Sequence, residues 1–328
     1  MKKLDIISIG SAVRDVVFHT DQLEVIDNPS HDPTKKKLLC VEYGAKVRSD
    51  KVKFYFGGGA ANTSINFSGL GLRSAALTSI GDDFDGQAIK KNLEEHGVNT
   101  RLLHVSKKHR TALSFLTVDD GSGEHAAFVY YGAATDLDVS DATLKKNPAK
   151  WFYISSINMA KWKKLLTKIV GTGSDIAWNP GGQQLEAGYA GLKRFIAKTT
   201  VLILNEDEAT ELILSHPKEN KAGTVKQMVK TIRAWGPQIV IITSGRRGST
   251  AYNGEKVMLQ KTPNDKPLDT TGAGDCYGST FTTGYIKYNG DVEKAMKLAA
   301  LNATHLVHTV GAHNGLLQWK DIPRALQR

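Results

Sequence analysis

The stretch Asp269-Thr270-Thr271-Gly272-Ala273-Gly274-Asp275 sets a turn of small residues directly before a carboxylate. Behind it, Cys276-Tyr277-Gly278-Ser279-Thr280-Phe281-Thr282-Thr283-Gly284-Tyr285-Ile286 reads as an amphipathic helix, with Tyr277, Phe281 and Tyr285 spaced to share one face. A helix opening at this turn aims its unpaired N–H groups and the positive end of its dipole at one spot. Because Gly272, Ala273 and Gly274 carry almost no side chain, a phosphate can come close to those donors. Asp275 then stands beside the anion, placed to take a proton from a hydroxyl. An acidic residue at a helix start also has a plain capping explanation; the glycines and threonines ahead of it favour the chemical one.

Outward from this turn, short β-branched runs alternate with longer amphipathic segments. Strands are predicted at 6–9, 75–79, 151–155, 175–178, 201–204 and 239–243, and helices at 62–70, 86–96, 161–170 and 225–235. That alternation predicts an α/β fold, with a mostly parallel central sheet flanked by helices. Two stretches, 38–56 and 111–131, alternate like strands with no helix between, and are expected to be antiparallel additions to the main sheet. With no repeat, linker or composition break, the 328 residues are expected to form a single domain over 1–328, with segments of about 11–56 and 111–131 as a small β-lid over the site.

A hydrophobic share of 41% is ordinary for a soluble globular protein, and no apolar run is long enough to cross a bilayer. Met1-Lys2-Lys3-Leu4-Asp5 does not run on into the apolar core of a signal peptide, so a cytoplasmic protein is expected. Cys40 and Cys276 are too few for a disulfide framework or a structural zinc site. The net charge of +10 is spread along the chain, apart from short clusters such as Lys35-Lys36-Lys37. Without RNA-binding aromatic signatures or paired Cys/His fingers, nucleic acid is not expected as a partner; the diffuse charge fits anionic substrates or simply a basic proteome.

A second glycine cluster, Gly57-Gly58-Gly59-Ala60-Ala61-Asn62, sits where a strand would end and a helix begin. Gly57 and Gly58 admit a ligand close to the backbone, and Asn62 both gives and accepts hydrogen bonds, as a hydroxylated substrate requires. A strand-to-helix turn with an Asn cap reads equally well from these residues alone. Neither glycine run is followed by Gly-Lys-Ser/Thr or completes Gly-x-Gly-x-x-Gly, so neither is one of the usual nucleotide loops.

Gly57-Gly58 followed after three residues by Asn62, together with the 269–275 motif, resembles the ribokinase-like carbohydrate kinases, the PfkB family. Gly81-Asp82-Asp83-Phe84-Asp85-Gly86, Asn205-Glu206-Asp207-Glu208 and Thr243-Ser244-Gly245-Arg246-Arg247-Gly248 fall in the family order, so the resemblance covers nearly the whole chain. It implies a ribokinase-like fold and an ATP-dependent kinase that phosphorylates a hydroxymethyl group of a sugar or sugar-like acceptor. Nucleoside kinase is the alternative, and a non-catalytic sugar or nucleotide sensor the alternative of another class. Asp275 matches the base, and the N–H groups of Gly272, Ala273, Gly274 and Asp275 would form the anion hole for the moving phosphate. No pKa shift is expected at Asp275, since the hydroxyl loses its proton late in a loose transition state.

The same resemblance implies that Asn205 and Glu208 organise Mg2+ and phosphate largely through water. It puts Thr243, Gly245 and Gly248 at the ATP site, with Asn302 and Ala303 near the adenine, and a monovalent cation, K+, near Asp269, Thr271, Thr309 and Gly311. Asp15, matching the acceptor-binding aspartate, would bind adjacent hydroxyls with Gly57, Gly58 and Asn62, while Thr111 and Tyr131 close over them. The chain departs from the family at Ile154-Ser155-Ser156-Ile157, which carries serines in place of an acidic sugar contact, and at His125, where many relatives have Arg. Arg101, Lys107, Lys108 and Arg110 are candidates for meeting a phosphate or carboxylate on the acceptor. Exposed lid edges would invite a homodimer.

Overall fold

A computed structural model of the chain describes residues 3–29, 37–119, 125–263 and 266–327, with the backbone alone at His125. Lys35 and Lys36 of the basic cluster, and Gly123 and Glu124 before His125, lie outside the described residues. The chain opens with β1 (Leu4–Ile9), β2 (Val13–Thr20), β3 (Glu24–Asp27), β4 (Lys37–Cys40) and β5 (Lys51–Gly57), then α1 (Gly59–Gly69). Next come β6 (Ser74–Leu77), β7 (Ser79–Gly81), α2 (Phe84–Glu95), β8 (His104–Ser106), β9 (Ala112–Asp119) and β10 (His125–Tyr130). The middle carries α3 (Asp141–Lys146), β11 (Ala149–Ile154), α4 (Trp162–Val170), β12 (Asp175–Trp178), α5 (Gly182–Leu185) and α6 (Gly188–Ile196). It continues through β13 (Val201–Asn205), α7 (Glu206–Leu214), α8 (Val225–Arg233), β14 (Ile239–Thr243), β15 (Ser249–Tyr252) and β16 (Val257–Gln260) to α9 (Ala273–Lys287), α10 (Val292–Leu306) and α11 (Arg324–Gln327).

Eight strands form the central sheet in the order β16-β15-β14-β13-β12-β11-β1-β6. All neighbours from β6 to β14 are parallel, as the alternating pattern predicts. Strands such as Ile239-Val240-Ile241-Ile242 are apolar at every position because helices cover both faces. Successive side chains enter opposite layers. Leu202, Leu204, Val240 and Ile242 pack toward Leu165, Leu192 and Val229 of α4, α6 and α8. Val201, Ile203, Ile239 and Ile241 pack toward Tyr277, Phe281 and Met296 of α9 and α10.

The predicted strand at 75–79 is interrupted at Thr78, where the chain leaves β1 and pairs instead through β7 with β8. The two stretches expected as additions to the main sheet do not join it. Residues 51–57, 112–119 and 125–130 form with β2 a separate four-stranded sheet, β10-β9-β2-β5, in which β2 runs antiparallel to β5 and parallel to β9. Part of 38–56 pairs with β3 as a small ribbon instead. The antiparallel additions to the main sheet are β15 and β16.

The order reverses between β1 and β11, since the chain builds outward from β1 to β6 before returning to β11 on the other side. In open α/β sheets that switch point, at the carboxyl ends of the strands, is where ligands bind. Gly10 after β1 and Ser155 after β11 meet there, with the Ser155 hydroxyl donating to Ile9 O at 2.9 Å.

Candidate active site

The first turn of α9 faces the switch point. Gly272 caps the helix in the left-handed region, at φ +75°, against Ala312, whose Cβ would lie 2.9 Å from a Cβ added at 272. Asp269 laces these two loops together, its carboxylate accepting from Thr271 N–H at 2.8 Å and Gly311 N–H at 2.9 Å. Burial alone would raise the Asp269 carboxyl, but those donors outweigh it and hold the group below its usual range. Of the four N–H groups proposed for the anion hole, Ala273 already donates to Thr270 O at 3.1 Å. Gly272, Gly274 and Asp275 meet no acceptor among the described residues, so three donors remain for an anion.

Asn62, four residues into α1, donates from Nδ2 to Asp275 Oδ2 at 2.9 Å. His313 stands behind it, with Nδ1 3.4 Å from Asn62 Oδ1. Sequence reading gave Asn62 to the acceptor; here its amide nitrogen orients the carboxylate that would act as base. The approach depends on Gly59, because a Cβ there would collide with Ser155 and lie 3.6 Å from Asp275 Oδ1. Burial pushes the Asp275 carboxyl above its ordinary value, and the single donor from Asn62 offsets it only in part. The unshifted carboxylate expected from the sequence is corrected on this point: half-burial at the junction of α1 and α9 comes from tertiary packing.

Two cavities meet at this turn. One, of about 420 Å3, is lined by Asn205, Thr243, Gly245, Gly248, Gly274 and Ala303. The other, of about 690 Å3, is lined by Asp15, Lys51, Lys53, Tyr55, Asp269 and Thr271. Pro267 and Thr270 belong to both walls. Asp15 sits on β2 with its carboxylate against Gly57, and burial pushes it up to about 6. Asn205, Thr243, Gly245, Gly248, Ala273 and Gly274 thus line one cavity and Asp15, Asp269 and Thr271 the other, while Gly57, Gly58, Asn62, Glu208, Gly272 and Asp275 line neither.

Asn205 and Glu208 form a reciprocal cap at the start of α7. Asn205 Oδ1 accepts from Glu208 N–H, and Glu208 Oε2 accepts from Asn205 N–H, each at 2.8 Å. Burial and the neighbouring Glu211 and Asp207 charges raise the Glu208 carboxyl despite the Asn205 and Asn179 donors. One carboxylate oxygen remains outside the cap, a donor set suited to a cation that keeps most of its water. Among the described residues, no three of His, Cys, Asp and Glu gather as a metal cage.

Asn302 does not reach the cavity of Thr243 and Gly245. It is fully buried, donating to Asn66 Oδ1 at 3.1 Å and Thr280 Oγ1 at 2.8 Å and accepting from Leu317 N–H at 2.8 Å. Ala303, turned about 100° further round α10, lines the wall instead. Thr111 is locked to Asp83 through its N–H at 2.8 Å and its hydroxyl at 2.6 Å, and Tyr131 is exposed. Neither lines a cavity. Arg101, Lys107, Lys108 and Arg110 are exposed and outside both cavities, with Arg110 3.8 Å from Asp83. Sequence reading missed Lys51, Lys53 and Tyr55; their signal, side chains two apart along one strand face, needs the strand pairing to be read.

Known proteins resemble this chain over most of its length. A curated ATP-dependent 6-phosphofructokinase of Thermoanaerobacterium thermosaccharolyticum is 26% identical over 291 residues, covering 84% of this chain and 86% of that protein. A nucleoside kinase of Methanothermobacter thermautotrophicus is 22% identical over 95% of this chain and 92% of its own. The solved structure of Arabidopsis thaliana ribokinase complexed with ribose and ATP superposes with a TM-score of 0.81 at 19% identity, over 100% of both chains. Residues 3–319 match the profile of the pfkB family of carbohydrate kinases, and the chain belongs to that family.

Proposed function

We propose that the protein transfers the γ-phosphate of ATP to a hydroxymethyl group of a sugar or nucleoside, with Asp275 as base. The observation that carries this is the position of Asp275: in the first turn of α9, at its positive end and beside three free N–H groups, directly after Gly274, which lines one cavity, and four residues from Thr271, which lines the other. ATP occupies the cavity of Thr243, Gly245 and Ala303, and the acceptor occupies that of Asp15 and Asp269. Asp275, aimed by Asn62, takes the hydroxyl proton as the acceptor oxygen bonds to the γ-phosphorus and the bond to the bridging oxygen of ADP breaks. Gly272, Gly274 and Asp275 N–H stabilise charge on the transferring phosphoryl oxygens. Asp15 accepts hydrogen bonds from neighbouring acceptor hydroxyls.

Mg2+, when bound with the nucleotide, neutralises phosphate charge; Glu208, with Asn205 at the same cap, is the residue to hold it through water. K+ is assigned to the paired loops of Asp269, Thr271, Thr309 and Gly311. The four-stranded sheet, whose inner face walls the acceptor cavity, acts as a lid that excludes water when the acceptor binds. Among the described residues no helix is long and apolar enough to cross a membrane, and the two cysteines are free; with ATP as substrate this supports a cytoplasmic enzyme. The test is ADP formation from Mg-ATP across pentoses, hexoses, phosphosugars, sugar acids and nucleosides. Acceptor-dependent turnover is expected, and its absence across all classes would overturn the reading.

The outer face of the same sheet supports a second copy of the chain as partner. Phe18, Phe115 and Phe128 pack in a row on it, and Phe54 and Phe128 remain 59% and 64% exposed. With β5 and β10 as open edges, pairing of two such sheets would bury this face. Light scattering is expected to give twice the 35.7 kDa chain mass, and Phe54→Lys with Phe128→Lys is expected to give single chains. A wild-type protein that stays at one chain mass at micromolar concentration would remove the proposal.

A further inference from the structure

The register of the four-stranded sheet fixes what its inner face presents to the acceptor cavity. Asp15, Val17 and His19 of β2 lie opposite Tyr55, Lys53 and Lys51 of β5, and all six line the cavity. The strand of β9 on the other side of β2 adds only neutral side chains to this wall. The face is therefore graded. Its carboxylate sits next to Gly57, close to the reacting end, and the two ammonium groups follow one and two strand repeats further out, roughly 7 and 14 Å along the sheet.

Neither lysine is neutralised in place. Lys53 is close enough for its charge to act on Asp269, and Lys51 on Tyr55, yet neither makes a direct ion pair among the described residues. Both Asp269 oxygens are already taken by Thr271 and Gly311 N–H groups. Lys53 is half-buried, and two like charges on one wall of a concave site set up a positive potential that a bound anion relieves. Asp269 offsets part of that potential from the opposite wall, but a neutral sugar at the Asp15 end would leave both ammonium groups without a direct partner.

We propose that the acceptor carries an anionic group, a phosphate ester or a carboxylate, at the end remote from the hydroxymethyl that is phosphorylated, and that Lys53 and Lys51 bind it. This rests on the kinase reading and narrows its substrate class. It also replaces the exposed cations at 101–110 as the candidates for that contact.

The experiment measures ADP release with Mg-ATP at fixed ionic strength, using fructose 6-phosphate against fructose, ribose 1-phosphate against ribose, and 2-keto-3-deoxygluconate and adenosine beside them. The expected result is a kcat/KM at least 100-fold higher for an anionic acceptor than for its neutral counterpart. Comparing the phosphate esters with the carboxylate then identifies which anion is used. Lys53→Met and Lys51→Met are each expected to raise KM for that acceptor 10-fold or more and to bring the anionic-to-neutral ratio toward one, with unchanged thermal unfolding. Lys107→Met, outside the cavity, serves as the control for loss of a surface charge. Equal use of neutral and anionic acceptors, or a ratio that survives both lysine substitutions, overturns the inference while the kinase reading stands. Silence with every acceptor overturns both.

Discussion

Asp275→Asn is expected to lower kcat by about 10²–10⁴-fold, the range for losing a positioned general base. The substitution keeps the shape and lets an amide oxygen still accept from Asn62 Nδ2, which now holds Asp275 at 2.9 Å. What it removes is the charge and the capacity to take a proton. Because burial already pushes the Asp275 carboxyl up, its ionised form is held in the folded protein at a cost. The folded-state pKa lies above the unfolded one, so the charged group weakens the fold at neutral pH. The variant should therefore unfold at the same temperature as the wild type or higher, while ATP binding persists. Steady-state ADP release and thermal unfolding on the same preparation check both halves. A kcat within tenfold of wild type would take Asp275 out of the role of base.

Gly272→Val should damage fold and activity together. The backbone at 272 lies at φ +75°, a region costly for any L-residue and an outlier for a β-branched one. The added side chain would also meet Ala312, with its Cα and O each 3.0 Å from the new Cβ. Left-handed strain of about 1–2 kcal/mol and overpacking of about 1–3 kcal/mol add to a loss of roughly 2–5 kcal/mol. The chain would escape by moving the 269–272 loop, which carries the Asp269 bonds and re-aims the helix donors, so kcat should also fall. Gly274→Ala is the contrast. A Cβ there meets nothing within 4 Å and points into space on the nucleotide side, so the unfolding free energy should hold while KM for ATP rises. Denaturant unfolding and ATP titration separate the two, and a fully stable, fully active Gly272→Val would refute the cradle geometry.

The α/β class, the parallel centre and the opening of α9 were legible because each rests on local periodicity: 175–178 and 239–243 are strands as read. Sheet membership was not. Which strands β2 and β9 accompany is decided by long-range register, and nothing local in 112–119 says that it pairs with 13–20. The β15–β16 hairpin did leave a trace, Asn253-Gly254 between Ser249–Tyr252 and Val257–Gln260, a familiar turn signal. In the candidate site, the motifs singled out Asp275, Asp15 and the glycines from the sequence, the glycines because close backbone approach needs that residue type. Motifs do not carry side-chain direction, so Asn302 was named beside Ala303 although only Ala303 lines the cavity, and the bond from Asn62 to Asp275 was not foreseen. Lys51 and Lys53 belong to no motif; only the pairing of Lys53 with Val17 and Lys51 with His19 turns them toward the cavity.

The bond between Asn62 and Asp275 spans 213 positions of chain, and this sets a schedule for synthesis. At a ribosomal pace of about 5–20 residues per second, the carboxylate follows its amide by on the order of 10–40 s. During that interval α1 has no α9 to receive the polar side chains along its face, for Asn66 Nδ2 finds its acceptors at Cys276 O, Ser279 and Thr280, all on α9. On the proposed roles of Asp15 and Asp275, the nascent chain holds an acceptor half without its base and consumes no nucleotide until the last quarter docks. Onset of turnover during translation would accordingly report completion of the whole fold.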